Sequence, residues 1–345
     1  MDELTIAVVG LGNWGKNVVR SFARTKGTCL KYICDASPKL VENQRSLYPQ
    51  AIATCEFADL LDDKDLDAIV LATPAPTHAQ LGQMALAAGK HLFVEKPMAL
   101  STVEAERLCA TADAMSRRLM VGHLLEYHPA VNWMKEYLQS GRLGEPLYIY
   151  SQRLNLGTVR ADENAFWSLA PHDISVMLYL FGMEPDWVSA HGESYLQAGV
   201  EDVVFAYLHF PDGRAAQIHV SWLDPHKERR MVLVGTQTMV VFDDMQPMEQ
   251  IRVYNKGAVV PEAGEGTQVT VRHGDILIPH FPSGEPLMTE AQHFVDCILK
   301  GTTPRSDGQD GLRVVRVLDA AGASLRMAGQ PVKVVQDDRS ALLPS

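Results

Sequence analysis

Short, uninterrupted apolar runs alternate with segments of helical spacing over the first third of the chain. The runs LTIAVV, LKYIC, DAIVLA, HLFVE and LMVGHLL show no polar alternation. Strands covered on both faces read this way, as in a parallel sheet flanked by helices. Between them, WGKNVVRSFA, SPKLVENQRSLY, THAQLGQMALAAG and TVEAERLCATADAMSRR place apolar residues three or four apart. This repetition predicts a doubly wound α/β domain over residues 1–122.

The pattern then changes. AVNWMKEYLQS is an amphipathic helix stopped by Gly141, and from Pro146 the runs LYIYSQRLN, VVFAYLHF, AAQIHVSW, RRMVLVGT and MVVFDD are alternating or β-rich. Turn residues such as Pro211-Asp212-Gly213 separate them. Such runs predict an open, mostly antiparallel sheet with one face packed and the other available. Residues 255–285, rich in Gly and Pro, form an excursion whose shape the pattern does not give, and two helices follow. Residues 123–345 are therefore expected to be an α+β domain with a large open sheet.

Composition narrows the partners. A length of 345 residues suits two domains. A formal net charge of -11 argues against nucleic acid, which is bound through basic patches. A small anion needs only a few cations and stays open. The five cysteines are scattered without metal-site spacing, which predicts reduced thiols, no metal and an intracellular, cytoplasmic chain. No apolar stretch is long enough for a bilayer, so no membrane partner is expected.

The motif Gly10-x-Gly12-x-x-Gly15 directly follows the first strand and opens a helix, with Asn13 and Trp14 inside the turn. The first glycine permits the tight turn, the second admits a pyrophosphate and the third lets helix and strand pack closely. A helix N-terminus adds free N–H groups and a positive dipole end. Asp35 ends the second strand, about twenty residues on, where a carboxylate accepts from ribose hydroxyls. Ala36 and Ser37 follow it, with no arginine for a 2′-phosphate, so NAD is expected over NADP. Ligands of such sheets sit beyond the carboxyl ends of the strands. Thr73, Pro74 and His78 in LATPAPTH are then expected to line the cofactor channel, while Thr77 reads as a helix cap.

The stretch HLFVEKPMAL ends an apolar strand in Glu95-Lys96-Pro97. A lysine there loses solvation beside a carboxylate, so its proton affinity is tunable. Pro97 fixes the backbone, a cis bond being one way to do so. A solvated Glu-Lys pair is the plainer alternative, and these residues alone do not choose.

VEKPMAL after such a dinucleotide half, with SGRLGEP and a late β-rich domain, resembles the glucose-fructose oxidoreductase / inositol dehydrogenase (Gfo/Idh/MocA) family across essentially the whole chain. The resemblance implies a Rossmann domain, a second domain whose open sheet covers the active site with one face and often forms an oligomer interface with the other, and a homo-oligomer, dimer or tetramer. It also implies that Lys96 contacts substrate and helps transfer its proton, with Glu95 beside the cofactor. The family's second catalytic residue is a histidine ten residues before a glycine on a helix, which maps to His172 before Gly182. Pro171 suits the first helical turn. The helix start favours a neutral base there and Asp173 opposes it. Two departures stand out. Ser168 occupies a place where many relatives carry Asp, which speaks against a free polyol, and Glu126 or a neighbour replaces a frequent arginine.

Arg153, Asn155 and Arg160 precede His172 in SQRLNLGTVRADENAFWSLAPHD. Arginines suit phosphate recognition, so these residues are expected to bind an anionic substrate. Pairing with Asp162 or Glu163 is the alternative, and Trp167 either stacks on a ring or joins the core. The segment is similar to that of family members oxidising nucleotide-linked sugars, including UDP-N-acetylglucosamine 3-dehydrogenases, whose 3-keto product serves an aminotransferase. The expected activity is NAD-dependent hydride transfer from such a sugar's 3-hydroxyl carbon. Free sugars, inositol or a sugar uronate as substrate, an NAD-dependent glycosidase and a non-catalytic NAD-sensing module are the alternatives.

Overall fold

Every apolar run in the first 122 residues becomes a parallel strand. The structure, a computed structural model, describes residues 3–157, 159–160, 163–259 and 269–335. Strands β1 (Leu4–Val9), β2 (Thr28–Cys34), β3 (Ile52–Thr54), β4 (Ala68–Leu71), β5 (His91–Glu95) and β6 (Leu119–Gly122) form one sheet in the order β3-β2-β1-β4-β5-β6. All their pairings are parallel. The pattern missed β3, whose three residues are too few and too exposed to show an apolar run. Helices α1 (Gly15–Arg24), α2 (Pro38–Arg45), α3 (Phe57–Asp62), α4 (His78–Ala87) and α5 (Thr102–Ala114) alternate with the strands. The order reverses between β1 and β4, the switch point at which doubly wound sheets take their ligands.

The chain leaves this unit within α6 (Pro129–Gln139) and builds a second one from Trp133–Phe281 and from Arg316 onward. After β7 (Pro146–Leu154) come α7 (Ala165–Leu169) and α8 (Pro171–Phe181). The strands β8 (Trp187–Glu193), β9 (Val203–His209), β10 (Ala215–Ser221), β11 (Glu228–Gly235), β12 (Met239–Asp243) and β13 (Ile251–Tyr254) follow. With the short β16 (Ile276–Leu277) and β17 (Val332–Lys333) they form a nine-stranded sheet, β16-β13-β12-β11-β7-β10-β9-β8-β17. Only β7 and β10 pair in parallel; every other pairing is antiparallel. Residues 255–285 contribute β16 and a ribbon of β14 (Gly257–Val259) with β15 (Thr270–Arg272), while 260–268 lie outside the described residues.

Alternation gives the sheet two faces. Val204, Ala206 and Leu208 of β9 are buried, whereas Phe205 and Tyr207 between them are 46% and 41% exposed. On the packed side Phe181 of α8 meets Phe210 edge-on at 5.0 Å.

The last two helices are α9 (Pro286–Lys300) and α10 (Gly308–Arg326). Residues 282–315 belong with the first unit, so it is discontinuous and differs from the expected division at 122/123. The physical reason is aromatic packing. Phe294 of α9 meets Phe22 and Phe93 edge-on, at 6.2 and 5.8 Å, completing the core beside the parallel sheet. Among the described residues, no helix is long and apolar enough to cross a membrane.

Candidate active site

The turn after β1 has the shape a dinucleotide needs. Gly10 adopts φ +91°, and a Cβ there would lie 2.6 Å from the Ala72 carbonyl, so only glycine fits. A Cβ on Gly15 would run into the Gly10 carbonyl, so α1 starts in close contact with the turn. Gly12 is different. Nothing stands within 4 Å of its missing side chain, which leaves open space over the backbone for a pyrophosphate. Asn13 and Trp14 are exposed in the same turn.

Asp35 is fixed against this turn. Its Oδ2 accepts from the Leu11 N–H at 2.7 Å and its Oδ1 from the Ser37 N–H at 2.8 Å. Each carboxylate oxygen keeps a lone pair for a ribose hydroxyl. A fixed negative charge also repels a 2′-phosphate. The residues present therefore fit NAD.

The loops after β4 and β5 lie within the same unit. Thr73 accepts at Oγ1 from Thr77 at 2.7 Å, and Pro74 starts a short 3₁₀ turn, Ala75–Thr77. Thr77 makes no cap hydrogen bond to α4, contrary to expectation, because its hydroxyl turns back to Thr73 and to the Pro74 carbonyl. His78 also departs from expectation. It is 1% exposed, with Nδ1 2.8 Å from the Pro97 carbonyl and Nε2 2.8 Å from the Thr73 carbonyl. Both nitrogens are consumed inside the protein, so the ring supports the two loops from behind and does not line the channel.

Glu95 is buried and accepts the Trp14 indole N–H at 2.5 Å. Burial raises its proton affinity, while the Trp14 bond and the Lys96 ammonium lower it. Lys96 follows directly, half-buried, with a cis peptide bond to Pro97.

His123, directly after β6, belongs to a cluster that residue spacing does not reveal. His123 Nδ1 is 2.8 Å from Asp310 Oδ2 and 3.4 Å from Glu126 Oε1, and all three are buried. Their potential ligand atoms lie within 4.8 Å of one another, close enough for a metal. Arg313 also donates to Asp310 at 2.7 Å. Burial works against a charged ring, but Asp310 and Glu126 outweigh it and hold His123 at about 9. Burial, then the charge of Asp310, pushes Glu126 up to about 8. Glu126, noted in the sequence only for replacing an arginine, is thus part of a buried network.

In the second unit His172 occupies the first turn of α8, behind Pro171. Ile174, Met177, Leu178 and Phe181 bury the helix as predicted, and Gly182 ends it at φ +70°. Asp173 is clamped by Arg153, whose Nε and Nη2 donate at 2.7 and 3.2 Å. Arg153 is therefore committed to a partner that neither sequence alternative named. Arg160 pairs with Glu163 at 3.1 Å, one of the partners considered; Asp162 lies outside the described residues. Asn155 is half-buried beside Gly157, and its N–H donates to the Ser221 carbonyl at 3.0 Å. Trp167 is half-buried, with its Nε1 3.8 Å from the Cβ position of Gly322, and Ser168 is buried.

A doubly wound sheet with this turn and carboxylate defines a dinucleotide-binding domain suited to NAD. Residues 4–123 match the family described as "Oxidoreductase family, NAD-binding Rossmann fold", and residues 131–241 match the "GFO/IDH/MocA C-terminal domain". The chain belongs to the Gfo/Idh/MocA family and acts as an oxidoreductase on a CH–OH group. Its relatives include the UDP-N-acetylglucosamine 3-dehydrogenase of Acidithiobacillus ferrooxidans, 28% identical over 95% of this chain and 98% of that one. The scyllo-inositol 2-dehydrogenase (NAD(+)) of Bacillus subtilis is 26% identical over 96% of both chains. A levoglucosan dehydrogenase, solved with NADH and L-sorbose, shares the fold at a TM-score of 0.83, with 22% identity over 97% of this chain and 100% of that one.

Proposed function

We propose that the chain oxidises the 3-hydroxyl of a nucleotide-linked sugar, UDP-N-acetylglucosamine, to a 3-keto sugar. The observation that carries the chemistry is the Glu95-Lys96-Pro97 turn at the carboxyl end of β5, next to a turn shaped for NAD. The near full-length match to a UDP-N-acetylglucosamine 3-dehydrogenase supports the substrate. The Gly10–Gly15 turn holds the pyrophosphate and Asp35 the ribose. When bound, the nicotinamide supplies the hydride acceptor. His172 takes the hydroxyl proton as general base, and Lys96 assists by contacting the substrate oxygen.

Magnitudes separate the two arginines. Arg160 is 53% exposed, and a surface pair of this kind contributes about 0–1 kcal/mol. Its guanidinium can exchange Glu163 for a diphosphate oxygen at little cost. Breaking a buried pair costs roughly 3–5 kcal/mol, and Arg153 is 12% exposed with Asp173 at 5%. Arg160, with Asn155, is thus assigned to the anionic substrate, and Arg153 to neutralising the carboxylate next to His172.

The commitment of Arg153 favours a second reading, a neutral polyol such as an inositol, since one expected anion ligand is already used. A 3-keto product would suit a downstream aminotransferase. The outer sheet face, where Tyr148, Tyr150, Phe205 and Tyr207 line a groove of about 480 Å³, supports a homo-oligomer closed by a second copy.

The test is NADH formation by purified protein with UDP-N-acetylglucosamine, its uronate and scyllo-inositol. Turnover confined to the first supports the reading, and turnover with inositol alone replaces it. Release of an aglycone without net NADH would indicate a glycosidase. Lys96→Ala and His172→Ala should each lose roughly 10²–10⁴-fold; full activity in either removes that residue from the mechanism.

A further inference from the structure

The environment of His78 specifies its protonation. The ring is 1% exposed, and Nδ1 and Nε2 each lie 2.8 Å from a backbone carbonyl oxygen, of Pro97 and Thr73. Carbonyl oxygens only accept, and a neutral imidazole has one N–H and one bare lone pair. A neutral ring would therefore hold a lone pair against a lone pair at hydrogen-bond distance, with no room for water. Turning the ring over would set carbon against both oxygens. Only the doubly protonated ring donates to both.

We propose that His78 is an imidazolium, a positioning residue that ties the loop after β4 to the loop after β5 and places a positive charge beside Lys96. Three effects oppose the charge: burial above all, the Lys96 ammonium, and the positive end of α4, which begins at His78. The Pro97 and Thr73 carbonyls act in its favour. The contact geometry decides between them, because charge-assisted bonds are about twice as strong as neutral ones and loss of the proton turns one of them into a repulsion. Among the described residues Lys96 is the only charged side chain acting on the ring.

The consequence for Lys96 follows from reciprocity: a fixed cation beside the ammonium weakens its hold on its proton. That consequence rests on the reading of Lys96 as the proton-handling residue; the protonation of His78 does not.

Neutron diffraction from wild-type crystals grown near neutral pH needs no variant. Deuterium on both ring nitrogens of His78 is the expected result, and deuterium on one alone overturns the proposal. The electrostatic half is read from the pH dependence of kcat/KM. The ionisation that vanishes in Lys96→Met should move up by about one pH unit in His78→Gln, and an unmoved ionisation overturns that half. Full turnover by Lys96→Met would instead sink the Lys96 reading and leave the neutron result standing.

Discussion

The indole N–H of Trp14 donates to Oε1 of Glu95 at 2.5 Å, joining the phosphate turn to the turn that carries Lys96. Glu95 is 8% exposed, so the bond is made away from bulk water. Trp14→Phe leaves the carboxyl buried without its donor, which costs about 1–3 kcal/mol. Urea unfolding should show that loss, with a raised KM for NAD. Glu95→Gln keeps a carbonyl acceptor and should lose less than Trp14→Phe.

Asp35 makes one bond to the glycine turn and one to its own loop before any ligand arrives. Asp35→Ser should weaken NAD by roughly 10–100-fold, corresponding to the loss of one charge-assisted bond at about 1.5–3 kcal/mol. NADP should gain relative to NAD because the repelling charge is gone. The ratio of kcat/KM for the two cofactors measures both effects.

Arg153 and Asp173 are a two-bond pair, with Asp173 buried and Arg153 largely so. Arg153→Met strands Asp173 and should destabilise by roughly 3–5 kcal/mol, while the double change to Met and Leu should recover much of it. Denaturant midpoints of the single and double variants decide this. The Michaelis constant for a nucleotide sugar should respond to Arg160→Ala far more than to an Arg153 variant that folds.

The His123–Asp310–Glu126 network makes stability depend on pH. His123 sits at about 9, above an unfolded value of about 6.5. Its contribution is fully present below the unfolded value and lost as pH rises through the folded one. Glu126, at about 8, changes stability in the same direction, because the folded state keeps a proton that the unfolded chain has released. Melting temperature should therefore fall between about pH 6.5 and 9, with roughly 3 kcal/mol at stake for the histidine. His123→Gln should flatten that slope.

Phe205 and Tyr207 stand outward on β9, and the Phe205 ring stacks on His219 at 4.2 Å between centroids. An exposed aromatic sheet face of this kind marks an interaction surface. Tyr207→Glu should shift the mass measured by light scattering toward a monomer while leaving the fold intact by circular dichroism. Wild-type protein that is monomeric at assay concentration would count against the second copy.

Much of the architecture was legible because its signals are local. The turn has no room for a Cβ at Gly10 or Gly15, and Gly12 keeps the space above its backbone open. The buried strands announced themselves as unbroken apolar runs, and the half-buried ones as alternation. The contribution of α9 to the first unit left no such trace, since Phe294 meets Phe22 across a separation that no periodicity encodes.

The site divides along the same line. Residue type and spacing were enough to select Asp35, because ribose binding draws on few side chains, whereas Lys96 and His172 were chosen only through the family resemblance. Which charges remain available was settled only by folding. His123 meets Asp310 187 residues away, Trp14 meets Glu95, Arg153 meets Asp173, and His78 is enclosed by two carbonyls. A sequence gives the donors and acceptors; distance and exclusion of water decide which satisfy each other, and both exist only once the chain has packed.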